Sequence, residues 1–160
     1  MIKDFNDIDE IKKDGFVGFM FMKDLFVDSS MIPDSNGVYL VLNVKSWAGE
    51  FLSVGSGGHF KGENPNVSVS ELKANWVDNT KVVYIGKATS LKNRLRQYFR
   101  FGQGKDVGHW GGRFIWQLKY SPDLVVCWKV LSSKPREYEA ELIQEFVSIY
   151  GVRPFANLVG

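Results

Sequence analysis

The sequence predicts a small mixed α/β (α+β) domain in which helices flank a mainly antiparallel sheet of three strands. Three short runs rich in Val, Ile and Tyr are bounded by turn residues, which is the pattern of strands. They lie at 38–44, 81–85 and 124–131. Two longer stretches, at 91–100 and after Pro135, carry apolar residues at helical spacing. A chain of 160 residues is of single-domain size, so we expect one domain.

The first 33 residues are interpreted as an N-terminal extension of this domain, which spans 1–160. Within the extension, the segment from Asp7 to Lys13 predicts a short helix. The apolar segment from Phe16 to Met22 predicts an edge element whose type the sequence leaves open. A turn cluster from Pro33 to Gly37, rich in Asp, Ser and Asn, then precedes the first strand.

Residues 45–80 are interpreted as an insertion and are the least regular part of the chain. Two Gly- and Asn-rich pieces, at 55–59 and 62–66, disfavour regular structure. Their glycines lack the Gly-Lys-Ser/Thr ending of a phosphate loop, so a surface excursion is favoured over a ligand loop. Ser68 and Glu71 have the spacing of a capping box and predict a short helix at 69–76.

The helix after the second strand has clear boundary signals. Thr89 or Ser90 is expected to cap it, and the Gly-Gln-Gly turn at 102–104 is expected to end it. The segment 109–118 is also predicted to be helical, although its adjacent glycines at 111 and 112 weaken a helix.

The last helix precedes an extended tail. Ser132 or Ser133 is expected to mark its start, with Pro135 in the first turn. Gly151 is expected to end it, and residues 153–158 are expected to be extended.

Composition narrows the class of protein. A net charge of +2 with 24% charged residues is ordinary for a globular protein and does not by itself indicate nucleic acid. No run of about 18 apolar residues predicts a membrane span, and the early acidic residue Asp4 does not suit a secretion signal. Cys127 lies in an apolar strand, so we expect a buried thiol and a cytoplasmic location.

Basic residues concentrate in one part of the chain. The segment 87–113 contains Lys87, Lys92, Arg94, Arg96, Arg100, Lys105 and Arg113, and only Asp106 opposes them. Such a cluster forms either a solvated helix face or the contact surface for a polyanion, and the sequence leaves both open.

Glu139 stands out in the last helix because of its position. A helical projection places Leu142, Ile143 and Phe146 on one apolar face and Glu139 on the same stripe. A carboxylate there is costly unless it is paired or binds a cation. Two interpretations remain: a partly solvated acid that balances the helix dipole, or a metal ligand. The other acids of this helix, Glu137, Glu141 and Glu145, are expected at the surface.

Arg94 and Tyr98 are placed by the same projection on the face of their helix that meets the sheet. An arginine held there could bind an anion through its planar donor fork, or it could pair with a carboxylate such as Glu139. Lys87, in the preceding strand-to-helix turn, could reach the same anion.

The aromatic and histidine residues have ordinary alternatives. Tyr39 and Tyr84, taken singly, are typical core tyrosines of strands. His59 and His109 have no Cys or His at ligand spacing, which argues against a zinc site. His109 and Trp110, with Arg113, could contact nucleic acid, although core packing of the tryptophan is the commoner outcome.

Five motifs in order resemble the GIY-YIG nuclease superfamily. They are Gly37-Val38-Tyr39, Tyr84-Ile85-Gly86, Lys87 with Leu91, Arg94, Leu95, Tyr98 and Phe99, Glu139-x-x-Leu142-Ile143, and Pro154-Phe155-Ala156-Asn157. The third motif is especially close to the nuclease module of the bacterial excision-repair subunit that makes the incision. The family joins its two tyrosine strands by a tight hairpin, so the 45–80 insertion is a departure that resembles the restriction-enzyme branches.

The resemblance implies metal-assisted hydrolysis of DNA phosphodiester bonds. Glu139 would hold one Mg²⁺ or Mn²⁺, and Arg94 would bind the phosphoryl oxygens. Tyr39 would orient or activate the attacking water, with its pKa lowered by the cation and by Lys87. The remaining implied site residues are Tyr84 beside that water, Tyr98, which would line the site or assist proton transfer, and Asn157, which would brace it.

The binding partners and the alternatives to an enzyme are less closely defined by the sequence. DNA would be bound by Lys92, Arg96, Arg100, Lys105 and Arg113, and RNA is left open. A homodimer or a partner protein could direct the enzyme to its target. A non-catalytic nucleic-acid-binding module and a structural or protein-interaction domain are the alternatives to an enzyme.

Overall fold

The computed structural model, which describes residues 1–158, has one antiparallel sheet of four strands in the order β1-β4-β2-β3. The strands are β1 (Val17–Phe21), β2 (Gly37–Leu42), β3 (Val82–Ala88) and β4 (Val125–Val130). The helices are α1 (Ile8–Lys13), α2 (Met22–Val27), α3 (Val69–Asn75), α4 (Leu91–Gly102) and α5 (Pro135–Tyr150). The mixed class is therefore confirmed, and the expectation of three strands is wrong.

The additional strand is β1, where the sequence left the element type open. It pairs with β4 through Val17 opposite Trp128, and its register shifts between Gly18 and Met20. Gly18 and Phe19 both have positive φ, at 97° and 54°. Because this bulge breaks the alternation of inward and outward side chains, β1 lacks the period-two pattern that identifies a strand.

Side chains cap three helices, and the caps of α3 and α4 were expected from the sequence. The Asp7 side chain accepts hydrogen bonds from the first turn of α1, and Ser68 accepts from the Glu71 N–H at the start of α3. Ser90, rather than Thr89, caps α4 by accepting from Asn93. These caps satisfy N–H groups that a helix leaves unpaired, so they fix where each helix begins.

Two expectations about helices are wrong. Residues 109–118 contain only a short 3₁₀ helix, Arg113–Gln117, because Gly112 lies against the Tyr98 ring and the glycines before it do not support a regular helix. The start of α5 has no serine cap: Lys134, in a left-handed conformation with φ of 57°, precedes Pro135. The residue before a proline avoids the right-handed helical region, so the helix cannot begin before Pro135.

The sheet separates two apolar layers. Tyr39 and Val41 of β2 face α4, α2 and the 3₁₀ helices, whereas Val38, Leu40 and Leu42 face α1 and α5. Both faces of β2 are thus buried, as expected for a central strand with apolar residues throughout. Cys127 is fully buried in β4, as its sequence context predicts.

A buried glutamine helps to attach segment 45–80 to the rest of the molecule. The Gln117 side chain donates to the carbonyls of Leu52 and Val67 and accepts from the Val67 N–H. Phe51 forms an isolated bridge with Leu118. The segment therefore packs along the 3₁₀ helix that follows α4 instead of interrupting the sheet.

Within residues 1–158, no helix has the length and apolar character needed to cross a membrane.

Candidate active site

Tyr39 and Tyr84 are neighbours on one face of the sheet. Strands β2 and β3 pair directly, with Tyr39 opposite Gly86 and Val41 opposite Tyr84. This register puts the two tyrosines on a diagonal, and their rings meet edge to face at 6.0 Å between centroids. The long segment between the two strands therefore leaves their pairing intact.

No side chain fits at the glycines beside these tyrosines, Gly37 and Gly86. A Cβ on Gly86 would lie 2.2 Å from Cζ of Tyr39, and one on Gly37 would lie 2.3 Å from the carbonyl oxygen of Lys129. Neither contact is possible without moving the ring or the strand. Glycine is therefore needed at both positions, because a ring packs on the backbone at Gly86 and a neighbouring strand packs on the backbone at Gly37.

Helix α4 brings Arg94 and Tyr98 to the same face. The Tyr98 ring lies 5.6 Å from that of Tyr84, and its hydroxyl donates to the Gly112 carbonyl at 2.9 Å. Arg94 Nη1 donates to the carbonyl of Gly108 at 3.1 Å and to Gln97 Oε1 at 3.2 Å. Arg94 is therefore held by neutral oxygens and not by Glu139.

Lys87 and Glu139 form a second group at the end of β3. Lys87 Nζ lies 3.7 Å from Glu139 Oε1. Glu139 is half-buried, with 18% of its side chain exposed, as its place on the apolar stripe of α5 predicts. Burial raises the pKa of its carboxyl, and Lys87, followed by Arg136 and Arg153, acts against that rise.

The two groups lie on opposite faces of β3. Tyr84 faces α4, whereas Lys87 has the opposite orientation and meets Glu139 from α5. Arg94 and Glu139 nevertheless both act on Tyr84. Burial has the largest effect on the pKa of this phenol, Arg94 lowers the pKa, and Glu139 raises it. The Arg94 guanidinium and the Glu139 carboxylate thus lie near the same edge strand, β3, but are not paired with each other.

All three phenols are neutral at physiological pH. Burial raises the pKa of Tyr39 and Tyr98 well above the ordinary value, and it raises that of Tyr84 to about 12. Tyr39 is 1% exposed and Tyr84 is 8% exposed. The expectation that Tyr39 has a lowered pKa is opposed by its burial, and Tyr84 is the phenol nearer the surface.

His109 belongs to this cluster, and sequence reasoning did not place it there. Its Nε2 lies 2.9 Å from the Tyr39 hydroxyl oxygen, and its ring lies 4.1 Å from that of Tyr98. The residue is fully buried. No spacing rule joins position 109 to position 39, so only the tertiary fold reveals the contact.

One segment covers most of the cluster. Residues 108–112, here called the covering segment, supply the Gly108 carbonyl to Arg94, His109 to Tyr39 and the Gly112 carbonyl to Tyr98. A Cβ on Gly112 would lie 2.9 Å from the Tyr98 hydroxyl. The covering segment therefore packs directly on three residues singled out in the sequence.

Stability is expected to depend on pH through His109. Burial, with a smaller effect of Arg94, lowers its pKa from 6.5 to about 3. The unfolded chain therefore binds a proton between about pH 6.5 and 3 that the folded chain does not bind. Stability due to His109 is complete above pH 6.5 and is lost as the pH falls, by about 1.4 kcal/mol per unit. Urea unfolding of the parent and His109→Gln at several pH values measures this, because the variant lacks that slope; parallel profiles would contradict it.

Asn157 braces the outer edge of β3. Its side chain accepts from the Ile85 N–H and donates to the Ile85 carbonyl, each at 2.9 Å. The Ala156 N–H donates to the Val83 carbonyl at 2.9 Å. The tail that was expected to be extended thus pairs with the strand edge in place of a fifth strand.

Removing the amide of Asn157 is expected to destabilise the protein. In Asn157→Ala both Ile85 backbone groups lose their partners, at a cost of about 2 kcal/mol. Asn157→Asp keeps the shape but turns a carboxylate oxygen toward the Ile85 carbonyl, so it should cost at least as much at neutral pH. Thermal unfolding measures both variants, and an aspartate variant as stable as the parent would contradict the assignment.

The basic residues expected to bind nucleic acid do not converge on the tyrosines. Lys92, Arg96 and Arg100 recur every four residues along α4, which places them on one stripe away from Tyr98. Arg96 Nε donates to Ser29 Oγ at 2.9 Å. Of the others, Lys105 is exposed beyond the end of α4, and Arg113 stacks over the Trp110 ring at 4.8 Å.

Open clefts lie elsewhere. One of about 510 Å³ adjoins Trp47, Trp76 and Thr80, and another of about 500 Å³ lies between α3 and the tail that carries Asn157. Neither is lined by Tyr39 or Tyr84. We place the candidate site at β3 on chemical grounds, because this strand carries a tyrosine of the phenol cluster on one face and the Lys87–Glu139 pair on the other.

Two places in the described chain offer carboxylate ligands for a metal ion: the group of Asp4, Asp7 and Glu10, and Glu139. Across residues 1–158, Asp4, Asp7 and Glu10 form the only group of three or more potential ligands, and Asp7 already caps α1 while Glu10 accepts from the Asp4 backbone. At β3, Glu139 offers a single hard oxygen donor. One carboxylate with water and phosphate oxygens is a usual way for proteins to bind Mg²⁺, so the Glu139 site fits such an ion.

Comparisons of this chain with protein-family models, with curated proteins and with solved structures found no match.

Proposed function

We propose that the protein is a divalent-metal-dependent endonuclease that hydrolyses DNA phosphodiester bonds, the activity that its resemblance to GIY-YIG nucleases implies. The observation that carries the proposal is the position of Glu139, a half-buried carboxylate 3.7 Å from Lys87 at the end of β3, the strand that carries Tyr84 on its other face. Its charge and that of Arg94 act on the same two phenols. An acid, two cations and a phenol around one strand are the kinds of group that phosphoryl chemistry uses.

Arg94 is the proposed anchor for the scissile phosphate. Its guanidinium makes two hydrogen bonds to neutral oxygens, so a phosphate would provide a charged acceptor in their place. Exchange of the Gly108 carbonyl for phosphate would free the covering segment at one of its three attachments. Lys87, 44% exposed in its side chain, would bind a second phosphate oxygen.

Glu139 would hold the Mg²⁺ or Mn²⁺ ion. The bound ion supplies positive charge that stabilises the phosphorane-like transition state and the leaving oxygen. The rise in the carboxyl pKa caused by burial makes a nearby cation favourable, because the cation stabilises the charged form. Lys87 would then move from the carboxylate to the substrate.

Tyr84 is the proposed contact for the attacking water. It is the more exposed of the two strand tyrosines, whereas Tyr39 lies beneath it and hydrogen-bonds to His109. A neutral phenol can orient water by hydrogen bonding without prior loss of its proton. Tyr39 is therefore proposed to support Tyr84.

Binding along the DNA backbone is assigned to the stripe of Lys92, Arg96 and Arg100 on α4. Residues spaced by four along a helix lie about 6 Å apart, close to the spacing of phosphates along a strand. Lys105 and Arg113 extend the basic surface past the end of α4. These contacts carry no base specificity.

Incubation of the purified protein with supercoiled plasmid tests the proposal. Nicked and linear products should form with Mg²⁺ or Mn²⁺ and disappear with EDTA. Ca²⁺, a larger ion with looser coordination, serves as the comparison metal. No product on plasmid, linear or branched DNA with either metal would overturn the assignment.

A non-catalytic nucleic-acid-binding module is the second candidate, and the burial of Tyr39 under the covering segment favours it. In this arrangement only the exposed lysines and arginines of α4 would meet a ligand. DNA binding that weakens steeply with salt, without metal-dependent cutting, would identify such a module.

A further inference from the structure

The imidazole of His109 is held by a stacked ring, by an edge contact and at one nitrogen. Tyr98 packs on the ring at 4.1 Å between centroids, Tyr84 lies 6.2 Å away, and Nε2 contacts the Tyr39 hydroxyl at 2.9 Å. The carbonyls on either side of His109 in the covering segment hold Arg94 and Tyr98. The ring therefore has one defined position against Tyr39.

The other ring nitrogen decides the tautomer. Nδ1 is buried and has no protein hydrogen-bond partner among residues 1–158. A neutral imidazole carries one proton, and its place on Nδ1 would bury an unpaired N–H donor. Buried N–H groups without partners are rarer than buried acceptors without partners. The proton therefore belongs on Nε2, where it points at the Tyr39 oxygen.

This tautomer fixes the direction of the hydrogen bond. With Nε2–H donating, the Tyr39 oxygen is the acceptor. The hydroxyl proton of Tyr39 therefore makes no hydrogen bond to His109. On the exposed side lies Tyr84, whose ring meets that of Tyr39 edge to face at 6.0 Å between centroids. The Tyr39 proton is then free to turn toward Tyr84.

We propose that His109 is a positioning residue that donates from Nε2 to Tyr39 and thereby directs the Tyr39 proton to the Tyr84 oxygen. The result is a chain of three groups, from buried imidazole to the phenol at the surface. The Tyr84 proton then points outward, to the place where water or phosphate binds. Its effect on catalysis rests on the proposed nuclease function, whereas the direction of the chain does not.

Nitrogen NMR of the imidazoles tests the direction without any need for activity. The protein has two histidines, and His59 is exposed, so His109→Gln identifies the His109 signals. At neutral pH the spectrum should show a protonated Nε2 and a bare Nδ1. A proton on Nδ1 would reverse the hydrogen bond to Tyr39 and overturn the proposal.

Kinetics test the consequence. His109→Phe keeps a flat ring but cannot donate, so kcat for plasmid cleavage should fall about tenfold with little change in KM. His109→Gln, whose side-chain N–H₂ can replace Nε2–H, should restore most of kcat. Because His109 acts through Tyr39, the loss in the double variant with Tyr39→Phe should not exceed that of Tyr39→Phe alone.

The outcomes separate the two proposals. A parent protein that cuts no DNA removes the nuclease assignment, and the tautomer spectrum still decides the hydrogen-bond chain. A parent that cuts, with His109→Phe as fast as the parent or His109→Gln as slow as His109→Phe, overturns the positioning role. Thermal unfolding of each variant shows whether the fold is retained, and the tautomer spectrum of the parent carries the test if the phenylalanine variant unfolds.

Discussion

Glu139→Gln is expected to lower the rate of DNA cleavage by about 1,000-fold or more. The amide keeps the shape of the side chain but is a weak ligand for a hard cation, so the proposed ion would be lost. A metal ion at a scissile phosphate contributes several kcal/mol, and about 4 kcal/mol corresponds to a factor of 1,000. Single-turnover cleavage of plasmid at saturating protein measures the change.

Stability is not expected to fall with Glu139→Gln. Burial disfavours the charged carboxyl and raises its pKa, and the compensating ion pair with Lys87 is at 3.7 Å and partly solvated. The neutral amide removes both effects, so the melting temperature should be unchanged or slightly higher. Loss of activity with an unchanged melting temperature would locate the effect in the chemistry.

Glu141→Gln is the matched control. It lies two residues further along α5, is exposed and makes no ion pair within the described chain. Its cleavage rate should equal that of the parent. Calorimetric titration with Mn²⁺ adds a readout without DNA, since binding should be lost in Glu139→Gln and kept in Glu141→Gln. A Glu139→Gln variant that cuts within about tenfold of the parent contradicts the metal assignment.

Elements governed by local signals could be predicted from the sequence. Ser68 and Ser90 act within three residues of themselves, and both fix helix starts as expected. Glu139 was singled out by the helical period alone and is half-buried. Such features depend on neighbours along the chain, where spacing is known without the fold.

Elements governed by tertiary contacts could not be predicted. Strand β1 is irregular at Gly18 and exists because β4 offers an edge with which it pairs. His109 reaches Tyr39 across seventy positions, and the sequence around it gives no sign of that contact. The separation of Lys87 from Tyr84 follows from strand alternation, but which helix covers which face is a property of the whole fold.

The covering segment joins these two kinds of information. The sequence predicted that Arg94 and Tyr98 share one helix face. In the fold, Arg94 donates a hydrogen bond to the Gly108 carbonyl and Tyr98 donates one to the Gly112 carbonyl. The adjacent glycines that weakened the expected helix at 109–118 are the reason that the backbone can approach Tyr98 so closely. A local conflict with helix propensity therefore coincides with the candidate site.

Arg94→Lys is expected to lower kcat for DNA cleavage by about 100-fold or more while DNA affinity changes little. Lysine keeps the positive charge but has no planar fork, so it cannot bind two phosphoryl oxygens at once. Removing one preformed donor from a transition-state oxyanion costs about 100- to 1,000-fold. Because the charge is kept, the dependence of DNA binding on salt should be unchanged.

Arg96→Lys is the control that separates chemistry from general charge. Arg96 lies on the outer stripe of the same helix and donates to Ser29, so its replacement should leave kcat within about twofold of the parent. In Arg94→Lys the ammonium can still donate to the Gly108 carbonyl, which limits the loss of stability to about 1 kcal/mol. Plasmid cleavage measures kcat, filter binding measures DNA affinity, and thermal unfolding measures stability. Equal kcat values for the two variants would mean that Arg94 contributes charge alone, and that the phosphate is bound elsewhere.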